Sequence, residues 1–165
     1  MIGPLALPGR RFFAALLATS LGLGAPPLLA EDTGPAGRWQ GAYICAQGLT
    51  ALEVTIEQAA HGRLRALFHF SAAPSNPLVP EGCFLMDGRY DPASRTVTLD
   101  PGDWLLQPEG FVTVGLSGVL DATGRVLSGN VTLVPLCTTF TLSRTQAAPA
   151  LPAPCRWRGL VASAE

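Results

Sequence analysis

Between Trp39 and Ser143 the chain runs through short segments in which apolar and polar residues alternate, separated by clusters of turn-forming residues. In LEVTIE, residues 52–57, the side chains of Leu52, Val54 and Ile56 share one face, and Glu53, Thr55 and Glu57 take the other. Successive side chains point to opposite faces only in an extended strand, so this period of two predicts a half-buried β-strand. RLRALFHF repeats the pattern, with Leu64, Ala66, Phe68 and Phe70 opposed to Arg65 and His69. No segment here carries the i, i+3, i+4 apolar stripe of an amphipathic helix. The expected class is all-β.

Eight strands can be marked. The first hairpin is Trp39–Cys45 turning through 46–48 into 49–57, and RLRALFHF is the third strand. CFLMDGRYDPASRTVTLD forms the next pair around Asp91–Ser94, FVTVGLSGVLDATGRVLSGNVTLV a third hairpin around Asp121–Gly124, and Cys137–Ser143 the last strand. The stretch 71–82 holds Pro74, Pro77 and Pro80, whose missing amide donors predict a loop. The stretch 101–110 reads as a second long loop, with Trp104, Leu105 and Leu106 plugging one end or offering an apolar contact. Consecutive strands with local turns suit an antiparallel up-and-down meander, and closing eight of them into a calycin-like barrel removes the exposed edges. The alternative is a two-sheet β-sandwich. An eight-stranded barrel is either filled by side chains or holds one small ligand. Gly88, Gly115 and Gly129 are the small inward positions that would make room.

Four cysteines, an even number, predict two disulfides in an oxidising compartment, and three connectivities are open to them. A closed meander sets its first strand against its last, so Cys45 and Cys137 arrive at one rim. That favours Cys45–Cys137, with Cys83–Cys155 strapping down the Ala/Pro-rich tail, 146–165, which also carries Trp157. A crosslink over so long a loop is worth about 4 to 5 kcal/mol in the chain-entropy picture. Strand parity opposes the pairing: if Phe140 and Leu142 point inward, Cys137 points outward, whereas Cys45 shares a face with Trp39 and Tyr43. A bulge near Pro135 would restore the match.

Arg10 and Arg11 precede the apolar run FFAALLATSLGLGAPPLLA, which ends in small residues before Glu31. This is a signal-peptide pattern over 1–30, partly matching a twin-arginine leader, and it predicts a periplasmic or secreted protein. Gly22, Gly24, Pro26 and Pro27 break the run too often for a good spanning helix, so no stable membrane insertion of the mature chain is expected. Residues 31–38 form a spacer and 39–145 the β domain. The chain has no lysine, and 11 basic residues face 12 acidic ones. Without a basic cluster to neutralise phosphates, nucleic acid is excluded as the expected partner.

Reactive chemistry is sparse. The two histidines, His61 in a turn and His69 on a polar strand face, lack neighbours that would complete a metal site, and no GxSxG elbow is present. Asp87, Asp91, Asp100 and Asp103 crowd two strands, yet turn and surface aspartates are the commoner case. No catalytic residue, metal or cofactor is expected.

WQGAYICAQGLTALEVTI, followed by GCFLMDGRYDPAS and CTTFTL, resembles small secreted or envelope-associated proteobacterial domains of uncharacterised function with a WxGxYxCxQGxTxL pattern. The resemblance implies a compact, exported β domain and carries no catalytic residue with it. Tyr43, Cys45 and a nearby glycine are also similar to the periplasmic lysozyme inhibitors of the C-type family, which implies an inhibitor-like role. Gly48 and Thr50 suit a tight turn as they stand. Read functionally, Tyr43, Gln47, Thr50, Asn76 and Trp104 form a recognition edge. The expected function is a non-enzymatic binding module whose rim loops contact an envelope or extracellular protein. The alternatives are a small-molecule carrier and, third, a hydrolase.

Overall fold

The computed structural model describes Gly3 and residues 34–156. The leader, Trp157 and the last residues of the tail lie outside the described residues. The division of the chain into two units falls between Ala30 and Glu31. The second unit carries eight strands: β1 (Gly37–Cys45), β2 (Gly48–Gln58), β3 (Arg63–Ala72), β4 (Gly82–Asp91), β5 (Thr96–Leu106), β6 (Gly115–Leu120), β7 (Val126–Thr132) and β8 (Thr139–Thr145). They form one closed barrel in sequence order, every pair antiparallel. The seam from Arg38↔Thr145 to Tyr43↔Phe140 joins β1 to β8. That continuous pairing sets aside the sandwich.

Alternation decides what faces inward. Leu52, Val54 and Ile56 on β2 are buried, as are Leu64, Ala66, Phe68 and Phe70 on β3. The interior is filled rather than left open by glycine. A Cβ on Gly41 would collide with the carbonyl oxygen of Thr141, one on Gly88 with that of Thr98, one on Gly129 with that of Ser117, and one on Gly115 with the Thr132 hydroxyl. These glycines let neighbouring strands approach in a sharply coiled wall, so Gly88, Gly115 and Gly129 do not open a ligand chamber.

Several boundaries differ from the sequence reading, the start of β1 at Gly37 inside the expected spacer among them. The expected loop 101–110 is strand as far as Leu106, because register shifts between Cys83 and Met86 let β5 continue past Pro101. Trp104 therefore lies on a strand, opposite Phe84. The apolar residues Phe111–Val114 and Leu133–Val134, expected in strands, lie in connections outside β6 and β7. The last strand starts at Thr139, not Cys137.

That last difference removes the parity objection. Leu133 (φ 74°) and Leu136 (φ 69°) turn the backbone into the left-handed region on either side of Pro135. Strict alternation does not extend back to Cys137, which bonds Cys45 with their Cα atoms 3.8 Å apart. The second disulfide, Cys83–Cys155, ties the tail to the outer face of β4. There Leu67, Cys83 and Cys155 form a small buried cluster covered by Leu85, Leu105, Leu106 and Leu151.

The barrel end bearing the chain's N-terminal approach is sealed. The Trp39 indole N–H donates to the Pro35 carbonyl at 2.8 Å, and the Arg144 guanidinium sits 4.3 Å from the centre of the Trp39 ring. Arg144 donates to the carbonyls of Gly34, Ala36 and Gly124, and its burial holds its pKa below the usual arginine range. At the same end the Asp121 carboxylate accepts the amides of Arg125 and Val126 and the Thr123 hydroxyl. Those donors, the hydroxyl foremost, lower its pKa to about 2.

Candidate functional site

An up-and-down barrel places alternate connections at opposite ends. The β1–β2, β3–β4, β5–β6 and β7–β8 connections surround one end, and it is open. A cleft of about 250 Å³ enters there. Phe68, Phe70 and Phe84 form its floor; Phe111, Val112 and Val114 rise from the β5–β6 connection; Gln47, Val134 and the Cys45–Cys137 disulfide complete the wall. The rings brace one another. Phe68 stacks on Phe84 at 4.5 Å, Phe70 on Phe111 at 5.4 Å, and Tyr43 meets Phe68 edge-on at 5.4 Å.

The QG turn is held from beneath. Gln47 donates from its amide to the Tyr43 hydroxyl at 3.0 Å and to Thr50 Oγ1 at 3.2 Å, and Thr50 donates to the Gly48 carbonyl. Asn76 reaches across from the β3–β4 connection to donate to the carbonyls of Gln47 (2.6 Å) and Leu49 (3.1 Å). Gly48 sits at φ 91°, where a side chain would be strained. Tyr43 is 4% exposed, and burial pushes its pKa up to about 12 against the opposing bonds from Thr50 and Gln47.

Four of the five residues singled out in the sequence thus converge on one turn. Tyr43 and Gln47 line the cleft; Thr50, fully buried, and Asn76 position the turn behind it. Trp104 stands behind the floor, packed on Phe84 (5.0 Å) and Phe70 (6.3 Å). Sequence reasoning missed Phe111, Val112, Leu133 and Leu136. Phe111, Val112 and Leu133 stand in an alternating run that reads as strand, and Leu136 in the short gap before the last strand.

Polarity is segregated between the two ends. Of the seven large apolar side chains exposed among the described residues, Ile44, Leu49, Leu78, Val112, Leu133 and Leu136 lie at the open end, and Val119 does not. The four connections there contain only two charged residues, Glu81 and Glu109, and no basic one. The shorter turns at the sealed end carry His61, Arg95, Asp121 and Arg125.

Neither histidine lies in the cleft. His61 is exposed in its turn. His69, on the outer wall, is 5% exposed between Glu53 (Nδ1 to Oε2, 3.3 Å) and Glu81 (Nε2 to Oε1, 2.8 Å). It can donate to both carboxylates only with a proton on each nitrogen. This contact fastens the β3–β4 connection to the barrel wall. Among the described residues no group of three His, Cys, Asp or Glu is placed to hold a metal ion, and no helix is long and apolar enough to cross a membrane. No protein-family model matches the chain, and a search of curated proteins gives no match.

Proposed function

We propose that the chain is a non-enzymatic binding module, exported to the periplasm or secreted, that engages an envelope or extracellular protein through the loops around its open end. The observation that carries this reading is the segregation of surface: exposed apolar side chains ring an aromatic cleft, while the charged turns gather at the opposite end. Contiguous exposed apolar surface commonly marks an interaction site. Two disulfides suit an oxidising compartment. Pro74, Pro77, Pro80, Pro108 and Pro135 in the rim connections, together with the Cys45–Cys137 bond, lower the ordering cost that a flexible rim would incur on binding.

A small-molecule carrier is the second reading, and the cleft itself favours it. Against it, the cleft of about 250 Å³ falls below the usual lower bound of about 300 Å³ for ligand pockets. The test is parallel capture from an envelope extract with the wild type and with Leu133→Asp/Leu136→Asp. A protein retained by the first and lost by the second is expected. Identical capture by both would overturn the reading, and a metabolite carried by the purified chain in native mass spectrometry would favour the carrier.

A further inference from the structure

Resting on that docking reading, we infer that the cleft is a socket for one uncharged, ring-sized apolar side chain, aromatic or large aliphatic, presented by the partner protein. Size comes first. An apolar cavity of about 150 Å³ holds a benzene ring, and pockets for larger ligands begin near 300 Å³. A cleft of about 250 Å³ therefore takes a single ring or branched alkyl group and not an extended ligand.

The walls decide the chemistry. Phe111, Val112, Val114 and Val134 line the cleft over an apolar floor of the almost fully buried Phe68, Phe70 and Phe84, and the polar contribution is the Gln47 amide with the nearly buried Tyr43 behind it. A charged group entering here would be desolvated without an ion to pair with.

The rim decides the source. A free small molecule would fill the cleft and leave Leu78 (92% exposed), Val112 (62%), Leu133 (69%) and Leu136 (76%) in water. A protein surface covers them at the same time, giving a buried anchor inside a water-excluding ring, the arrangement in which a few residues carry most of the binding energy. Among the described residues, the charges in the connections around the opening are Glu81, bonded to His69 and sharing a groove with Arg156 of the tail, and Glu109, so an acidic residue flanking the anchor is disfavoured beside Glu109.

The full chain with both disulfides formed is used to select binders from a random peptide display library. Enriched peptides are then titrated calorimetrically against the wild type, Ala46→Trp and Leu133→Asp/Leu136→Asp. Ala46 is exposed at the cleft wall, so its replacement covers the opening without disturbing the core. Val112→Arg is the second blocking variant should Ala46→Trp fail to fold. The expected result is peptides sharing one Trp, Tyr, Phe, Leu or Met with no acidic neighbour. Truncating that residue to alanine, or blocking the cleft, weakens binding at least tenfold, and p-cresol competes. Peptides weakened by the rim variant but indifferent to cleft blocking would remove the socket and leave the docking surface standing. Peptides indifferent to both, or no enrichment, would remove both. Three results would overturn the protein partner: p-cresol binding more tightly than any peptide, a dimer of the chain dissolved by the rim variant, or co-sedimentation with neutral phosphatidylcholine vesicles.

Discussion

Tyr43 allows an unusually direct test, because the chain has no lysine and its four cysteines are paired. Between about pH 9 and 11.5 tyrosine is then the side-chain type whose ordinary value falls in the window. Burial at the cleft raises the Tyr43 pKa from 10.0 to about 12. An acid whose folded pKa is raised stays protonated in the native state while the unfolded chain ionises. Its contribution is therefore fully present below about pH 10 and lost as pH rises through about 12. At about 1.4 kcal/mol per unit, the full loss is about 2.7 kcal/mol, and about 2 kcal/mol of it has gone by pH 11.5. Tyr43→Phe keeps the ring contacts with Phe68 and Phe70 but gives up the hydroxyl that accepts from Gln47, costing about 1 kcal/mol near neutrality. Urea unfolding followed by circular dichroism should show the wild type more stable below pH 9, the variant more stable at pH 11.5, and the two curves crossing between about pH 10 and 11. Tyr90 and Arg144 are common to both proteins and cancel in the difference. A constant separation across the window would refute the argument that burial keeps this phenol neutral at the rim.

Cys45→Ser/Cys137→Ser opens a crosslink spanning 92 residues; the urea midpoint should fall by the equivalent of about 4 to 5 kcal/mol, and a loss under about 1 kcal/mol would assign barrel closure to the β1–β8 hydrogen bonds alone. Gly41→Ala forces a Cβ against the Thr141 carbonyl in that same seam and should cost about 1 to 3 kcal/mol in thermal unfolding; an unchanged midpoint would show that the seam can widen freely. Asp121→Asn should flatten the acid limb of the stability profile. The aspartate's contribution is present above its unfolded value of 3.8 and lost as pH falls through about 2, so superimposable profiles of the two proteins between these limits would count against the turn clamp.

Much of the site was legible because its signals are local. Tyr43, Gln47, Gly48 and Thr50 lie within eight residues, and a two-residue hairpin brings them together whatever the rest of the chain does. Asn76 joined them through a fold contact 29 residues away from Gln47. Trp104 was placed on a loop since Pro101 and Gly102 interrupt alternation; bulges in β4–β5 pairing absorbed that interruption and turned the indole toward Phe84. Phe111–Val114 and Leu133–Val134 were read as strand because apolar residues beside strands look alike whether or not a neighbour is there to pair with them.

Alternating polarity determined the strands, their inward faces and their order around the barrel, since a period of two is a property of the backbone and each short turn leaves the next strand only one place to pair. Tertiary structure decided where pairing stops. The ladders of β6 and β7 run out at Gly115 and Thr132, and beyond them Val114 still packs into the core while Val112, Leu133 and Leu136 become an exposed rim. The left-handed turns at Leu133 and Leu136 likewise decided that Cys137 could reach Cys45, because strand parity is inherited along a chain only until the backbone leaves the extended region.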